Sequence, residues 1–242
     1  MTGFFSRLCP SILFSIIFCL YPLISTAAPE TIGLVVWVTG SIKATMPGAS
    51  ERTLSRRSAV YQSDTLTTDS NSSGEIVFTD NSILSLRNNT TLEIAKYHFA
   101  KNTSAGNSET LNLIKGGFRT ITGAITKEDP QSYKVNTPVA TIGVAGTVYS
   151  AYFDSHAADL FTKLDKGIVF ISNSQGKITL SKQPSLNNSE CGIDTYSQVS
   201  RDKKPVVLCN LPTVFINEPP LIPVNFPSSN KAPGSVGSFC VS

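Results

Sequence analysis

The chain has 242 residues, of which 40% are hydrophobic and only 15% charged, with a formal net charge of +3. That is enough apolar material for a buried core in one domain or two. It argues against a dedicated nucleic-acid binder, which concentrates basic residues far more strongly.

The first residues read as an export signal. Arg7 supplies a weakly positive start, Ser11–Leu20 (SILFSIIFCL) an apolar centre and Ser25–Glu30 (STAAPE) a small-x-small cleavage site, with cleavage predicted after Ala27. The apolar run from Ser11 to Ile24 contains Pro22 and is shorter than the roughly 18 to 20 residues that cross a bilayer, so no stable transmembrane span is expected after cleavage. The predicted compartment is periplasmic or secreted.

From Ile32 to Leu180 short apolar-alternating runs are punctuated by turn residues, the pattern of an all-β domain. TIGLVVWV and SIKAT meet at Thr39-Gly40. Three further strands follow, carrying Ile76 and Phe78, then Leu84 and Leu86, then Leu92 and Ile94, with turns at Asp80-Asn81 and Asn88-Asn89, residue types that tolerate left-handed backbone. This rhythm suits either a short-stranded roll or solenoid or a β-sandwich. Lys101–Glu109 reads as a surface loop, and LNLIKGGFRTITGAI resumes the strands with Gly116-Gly117 and Gly123 as turn or bulge positions. DLFTKLDKGIVFIS and SQGKITL form a further hairpin, and no amphipathic helix of ordinary length is predicted.

Thr137–Phe153 (TPVATIGVAGTVYSAYF) holds two glycines three apart in an uncharged run until Phe153. A P-loop requires a lysine after its second glycine, whereas Gly146 is followed by Thr147 and Val148, and a dinucleotide loop requires a third glycine and a helix. The loop pair Val144 and Ala145 lacks the basic character of a KH nucleic-acid clamp. Period two instead puts Ala140, Ile142, Val144 and Val148 on a core face and Thr141, Gly143, Ala145 and Thr147 on a small face, which predicts close approach of a second β layer. Pro138 suits the strand's first position.

His98 and His156 lack a neighbouring second ligand, so no metal site is predicted. Asp64, Asp69, Asp80 and Asp154 fall at turns and strand ends, where carboxylates accept backbone hydrogen bonds, and no GxSxG is present. The expectation is a non-enzymatic protein without a cofactor. Lys96-Tyr97 and Phe118-Arg119 suit either a ligand surface or cross-strand packing.

Beyond Ser181 the composition becomes rich in proline, serine and asparagine, and residues 182–242 are predicted to be an irregular tail. Its Val214, Phe215, Ile216, Leu221, Ile222, Val224 and Phe226 suit a strap packed on the domain or a partner-binding segment. Cys191, Cys209 and Cys240 lie here. Cys191 with Cys209 would close a short loop, but three pairings are open to three cysteines. The predicted organisation is a signal at 1–27, a β domain at 28–181 and a tail at 182–242.

GSIKA, SAVYQSDTLTTDSNSSGEIVFTDNSILSLRNNTTLEI, LIKGGFRTITGAI and YKVNTPVATIGVAGTVYSAYF resemble the FecR domain in order, spacing and residue type over roughly Val35 to Phe153. The most specific elements are SDTLTT, DNSILSL and the TPxAxxGxxGT element, which singles out Thr137, Pro138, Gly143, Gly146 and Thr147 as motif positions with a mainly structural role. The resemblance implies an exported all-β module. The best-known FecR proteins are inner-membrane regulators that relay siderophore occupancy from an outer-membrane transporter to a sigma factor. The cytoplasmic and membrane-spanning segments of such a regulator are not recognised here, and Ala145 stands where the family often has arginine. The expected activity is binding or regulation through an envelope or secreted protein, with carbohydrate or peptidoglycan as the alternative ligand.

Overall fold

A computed structural model describes residues 29–103, 106–184, 191, 193–218 and 221. The export signal, Cys240 and the tail residues Ile222, Val224 and Phe226 lie outside the described residues.

The described chain is all-β, as expected, with sixteen strands in one hydrogen-bonded sheet. In chain order these are β1 (Thr31–Thr39), β2 (Ile42–Thr45), β3 (Arg52–Leu54), β4 (Ala59–Tyr61), β5 (Thr65–Thr68), β6 (Ser73–Phe78), β7 (Ile83–Leu86) and β8 (Thr91–His98). They continue with β9 (Ser108–Ile121), β10 (Tyr133–Asn136), β11 (Thr141–Asp154), β12 (Asp159–Asn173), β13 (Gly176–Pro184), β14 (Ile193–Asp194), β15 (Tyr196–Ser200) and β16 (Val206–Leu208).

The ladders separate into two sets. The first runs β3-β2-β5-β8, then the start of β9, β10, the start of β11, the end of β12, β13 and β14. The second runs β4-β1-β6-β7, then the end of β9, the end of β11, the start of β12, β15 and β16. Only β9, β11 and β12 belong to both. A strand passes from one layer to another by bending at a bulge or a residue of unusual conformation, and each of the three does so at a glycine with positive φ: Gly116 (76°), Gly146 (57°) and Gly167 (90°). The all-β expectation is met by one open, mixed sheet whose two sets of ladders are continuous through this corner.

Both layers contribute to one core. Ile42, Leu66, Leu92, Ile94 and Leu111 of the first and Ile76, Leu84, Leu86, Phe118 and Ala151 of the second are buried in a single cluster. A fully buried aliphatic side chain contributes roughly 1.5–3 kcal/mol. Phe78 stacks on Tyr97 across the layers with centroids 5.3 Å apart, and the Tyr133 and Tyr149 hydroxyls meet at 2.7 Å. A single helical turn, α1 (Ala124–Glu128), buries Ile125 and Thr126; the amides of Ala124 and Ile125 donate to the carbonyl and carboxylate of Asp80.

Five details differ from the sequence reading or add to it. β7 and β8 follow one another in sequence without pairing, because β8 joins β5 and β9 in the other layer. Ser108 and Glu109 belong to β9, so the loop is shorter than Lys101–Glu109, and Gly123 precedes α1 instead of interrupting a strand. β13 continues to Pro184. The tail then returns to the sheet, where β15 pairs with β12 and buries Val199, an arrangement that its proline content disguised.

Candidate functional site

The motif residues cluster at the corner and the turn leading into it. The Thr137 hydroxyl donates to the Ala140 carbonyl at 2.8 Å and accepts from the amides of Val139 and Ala140, closing the β10–β11 turn that exposes Pro138. A cleft of about 260 Å³ beside this turn is lined by Thr137, Pro138, Asn173, Arg201 and Asp202, among others. Thr147 donates from its hydroxyl to the Ile168 carbonyl at 2.9 Å, while its amide bonds the Thr122 hydroxyl, also at 2.9 Å. It thereby ties β11 to β12 and to Thr122, which immediately follows β9.

The close layer contact predicted at Gly143 and Gly146 is not found there. A Cβ on Gly143 would meet only the Phe170 Cβ at 4.0 Å, and one on Gly146 would meet nothing within 4 Å. Gly146 is required for its backbone conformation, and the crowded position is Gly167, where a Cβ would collide with the Gly146 carbonyl. The bulge at Gly146 also inverts the alternation that the sequence suggested. Ala140, Ile142 and Val144 are buried as predicted, but Thr147 is buried and Val148 half-exposed, because one extra residue moves every later side chain to the other face.

The acidic residues singled out in the sequence hold the frame. Asp64 is fully buried and accepts both Arg52 Nη2 contacts, at 2.6 and 2.7 Å, together with the Tyr61 amide. Asp80 accepts from the Ser82 amide and hydroxyl and from Tyr97. Asp154 caps the β11–β12 turn through the amides of His156 and Ala157, which hold its carboxyl below the usual range. Asp69, His98 and His156 are exposed. Among the described residues no three His, Cys, Asp or Glu side chains gather as metal ligands. Lys96-Tyr97 and Phe118-Arg119 divide by strand period: Tyr97 and Phe118 enter the core, and the basic residue of each pair points outward.

Of the buried acids the sequence reading passed over, Glu109 is the most perturbed. Glu109 lies opposite Tyr97 on β8 and Tyr133 on β10, facing inward. Burial, reinforced by the charge of Asp80, pushes its carboxyl well above the usual range, and burial likewise raises the phenols of Tyr97, Tyr133 and Tyr149.

The two outer faces differ. On the first layer a polar row crosses adjacent strands: Thr65, Glu93, Asn112, Asn136, Thr141 and Ser172 are successive register partners. Their side chains form a directional chain in which Thr141 donates to Asn136 (3.4 Å), Asn136 to Asn112 (3.0 Å) and Asn112 to Glu93 (2.8 Å). Phe170, 44% exposed, stands on the same face opposite Gly143. The outward positions of each strand carried this row in the sequence, but pairing strands distant in sequence was needed to see it.

The second layer's outer face carries Arg87, Arg119, Lys163 and Asp165. Arg119 bonds Asp165 at 2.9 Å, and Lys163 reaches Asp165 at 3.4 Å and Glu218 at 2.8 Å. Phe215, buried in the turn Thr213–Phe215, lies 5.9 Å from the Arg87 guanidinium, which is also 5.2 Å from the Tyr152 ring. Cys191 and Cys209 form a disulfide ahead of this segment. At least through Glu218, the tail is a strap on the domain.

Residues 64–170, from Asp64 to the end-portion of β12 that carries Phe170, match the family model described as FecR protein. The protein therefore contains a FecR domain, and that domain includes all three corner glycines. Two crystal structures of a candidate anti-sigma factor from Parabacteroides distasonis are similar in part: both are 10% identical, with TM-scores of 0.42 and 0.43. The matches cover 58% and 59% of this chain and 56% and 57% of the other, so this chain spans little more than half the length of those it resembles. No curated protein matches the sequence.

Proposed function

We propose that this protein is an exported, non-enzymatic regulatory module that acts by binding a protein of the envelope or secreted space through the outer face of its first layer. The observation that carries the reading is the Glu93–Asn112–Asn136–Thr141 row, a rigid sequence of amide and hydroxyl groups on an open sheet face. Rigid, pre-bonded polar groups lose little conformational freedom on docking, so they favour specific recognition. The FecR match supports a regulatory role. The Cys191–Cys209 disulfide supports an oxidising compartment, and none of the described helices is long and apolar enough to cross a membrane.

Fractionation combined with in-cell crosslinking and affinity capture tests this reading. The expected result is a protein adduct in the exported fraction that disappears in Asn136→Arg, a change that places a long cation in the row without touching the core. A cytosolic protein, or an adduct indifferent to Asn136→Arg, would refute it.

A glycan ligand is the second reading, and Phe170 beside the amide row favours it, since an exposed ring next to fixed hydrogen-bonding groups suits the apolar and hydroxylated sides of a sugar. Retention on peptidoglycan that is lost in Phe170→Ala would select this reading over the first.

A further inference from the structure

The strap on the second layer is an incomplete fit to what it covers. Phe215 is 3% exposed and the Glu218 side chain 5% exposed, so the segment places an aromatic ring and, three residues later, a carboxylate into the face. Beneath it lie Arg87, Lys163 and Tyr152. Among the described residues Arg87 Nε and Nη1 are buried without a hydrogen-bond partner, and so is Glu218 Oε1. A buried donor left without a partner is costly, more so when charged, and Arg87 offers a planar fork suited to bidentate carboxylate recognition. The strap instead presents the face of Phe215 to that guanidinium and spends its carboxylate on Lys163.

We propose that the groove formed by Arg87, Tyr152 and Lys163 is a peptide-binding site for a partner segment bearing an aromatic residue followed at short spacing by a carboxylate, and that residues 211–218 occupy it as an internal pseudo-ligand. The site lies on the layer opposite the Glu93–Asn112–Asn136 row and does not depend on the function proposed for that row. An incoming segment that delivers a carboxylate to Arg87 gains the charge-assisted bonds that the strap leaves unmade. Burial lowers the Arg87 pKa, opposed by the charge of Glu218, which lies near the guanidinium without a hydrogen bond to its Nε or Nη1. The strap's attachment just after Cys209 gives it a high local concentration, so an external segment competes only when its contacts are better.

The test uses the full chain and a labelled synthetic peptide of residues 211–218, LPTVFINE, read by fluorescence anisotropy. In Phe215→Ala/Glu218→Gln the strap loses its two anchors, and the peptide is expected to bind at least tenfold more tightly than to the parent protein. Adding Arg87→Ala should abolish that gain. Equal binding to parent and double variant, or binding that survives Arg87→Ala, overturns the proposal, as does binding of anionic lipid vesicles in place of the peptide. Native hydrogen exchange serves if the double variant does not fold. The amides of Phe215 and Ile216, bonded only to Pro212 and Thr213, should exchange by local opening, well before Leu86. Exchange at the rate of Leu86 would make the strap a fixed part of the core and end the argument.

Discussion

The Gly146 carbonyl occupies the space that a side chain at Gly167 would fill. Gly167 also has φ of 90°, so alanine there meets both a strained backbone and a backbone obstacle that cannot swing away. Gly167→Ala is expected to destabilise by about 2 to 4 kcal/mol in denaturant unfolding. Gly146→Ala should cost about 1 kcal/mol, because only its φ opposes the change, and Gly143→Ala should be close to neutral. The order of the three midpoints distinguishes corner geometry from close layer packing, which would make Gly143 the sensitive site.

Glu109 sets a pH dependence of known sign. Its carboxyl is raised in the folded protein by burial and by Asp80, so the neutral form is favoured by folding. Its stabilising contribution is complete below the ordinary carboxylate range near pH 4.5 and falls as pH rises through the folded value. Glu109→Gln keeps the shape and removes the charge. It should raise the melting temperature at pH 7 to 8, with little effect at pH 4. Equal melting curves at both pH values would show that Glu109 finds compensation when ionised.

Asp64 and Arg52 form an unequal pair. The carboxylate is fully buried, whereas the Arg52 side chain is 33% exposed and rests 4.8 Å over the Tyr61 ring. Asp64→Ala removes the acceptor of the Tyr61 amide and of Arg52 Nη2, leaving the guanidinium only its hydrogen bond to the Ala59 carbonyl, and should cost about 3 kcal/mol. Arg52→Lys keeps the charge but loses the double contact and should cost about 1 kcal/mol. Thermal unfolding of the two variants measures the difference.

The Cys191–Cys209 bridge joins residues 18 apart in sequence. Chain entropy for such a loop suggests about 3 kcal/mol of stabilisation. Replacing both with serine should lower the unfolding midpoint by that amount. A strap that depends on the bridge for its position will also show faster exchange at Phe215.

What could be read from the sequence depended on the range of the interaction. Alternation gave the strands, and Asn81 and Asn89 appear at positive φ in the turns expected of them. The corner was only half visible. Gly146 was conspicuous in TPxAxxGxxGT, but its partner Gly167 sits in DKGIVF without a motif, and their meeting depends on the β11–β12 register. The bulge that reverses Thr147 and Val148 follows from one φ angle, which periodicity cannot register. Likewise Glu93, Asn112, Asn136 and Thr141 come from four strands, so their row exists only once β10 lies parallel to β9. Phe215 stood out as apolar, whereas nothing local in the sequence tied it to Arg87 or Lys163, which come from other strands or turns of the second layer.

The threefold corner also bears on how the molecule takes a load. Since β9, β11 and β12 each donate one half to either layer, the two layers are coupled through the corner, where β11 pairs back onto β9 as well as forward onto β12. This coupling makes the FecR domain a stiff mount, one that carries a tug on its terminal strap into both layers at once.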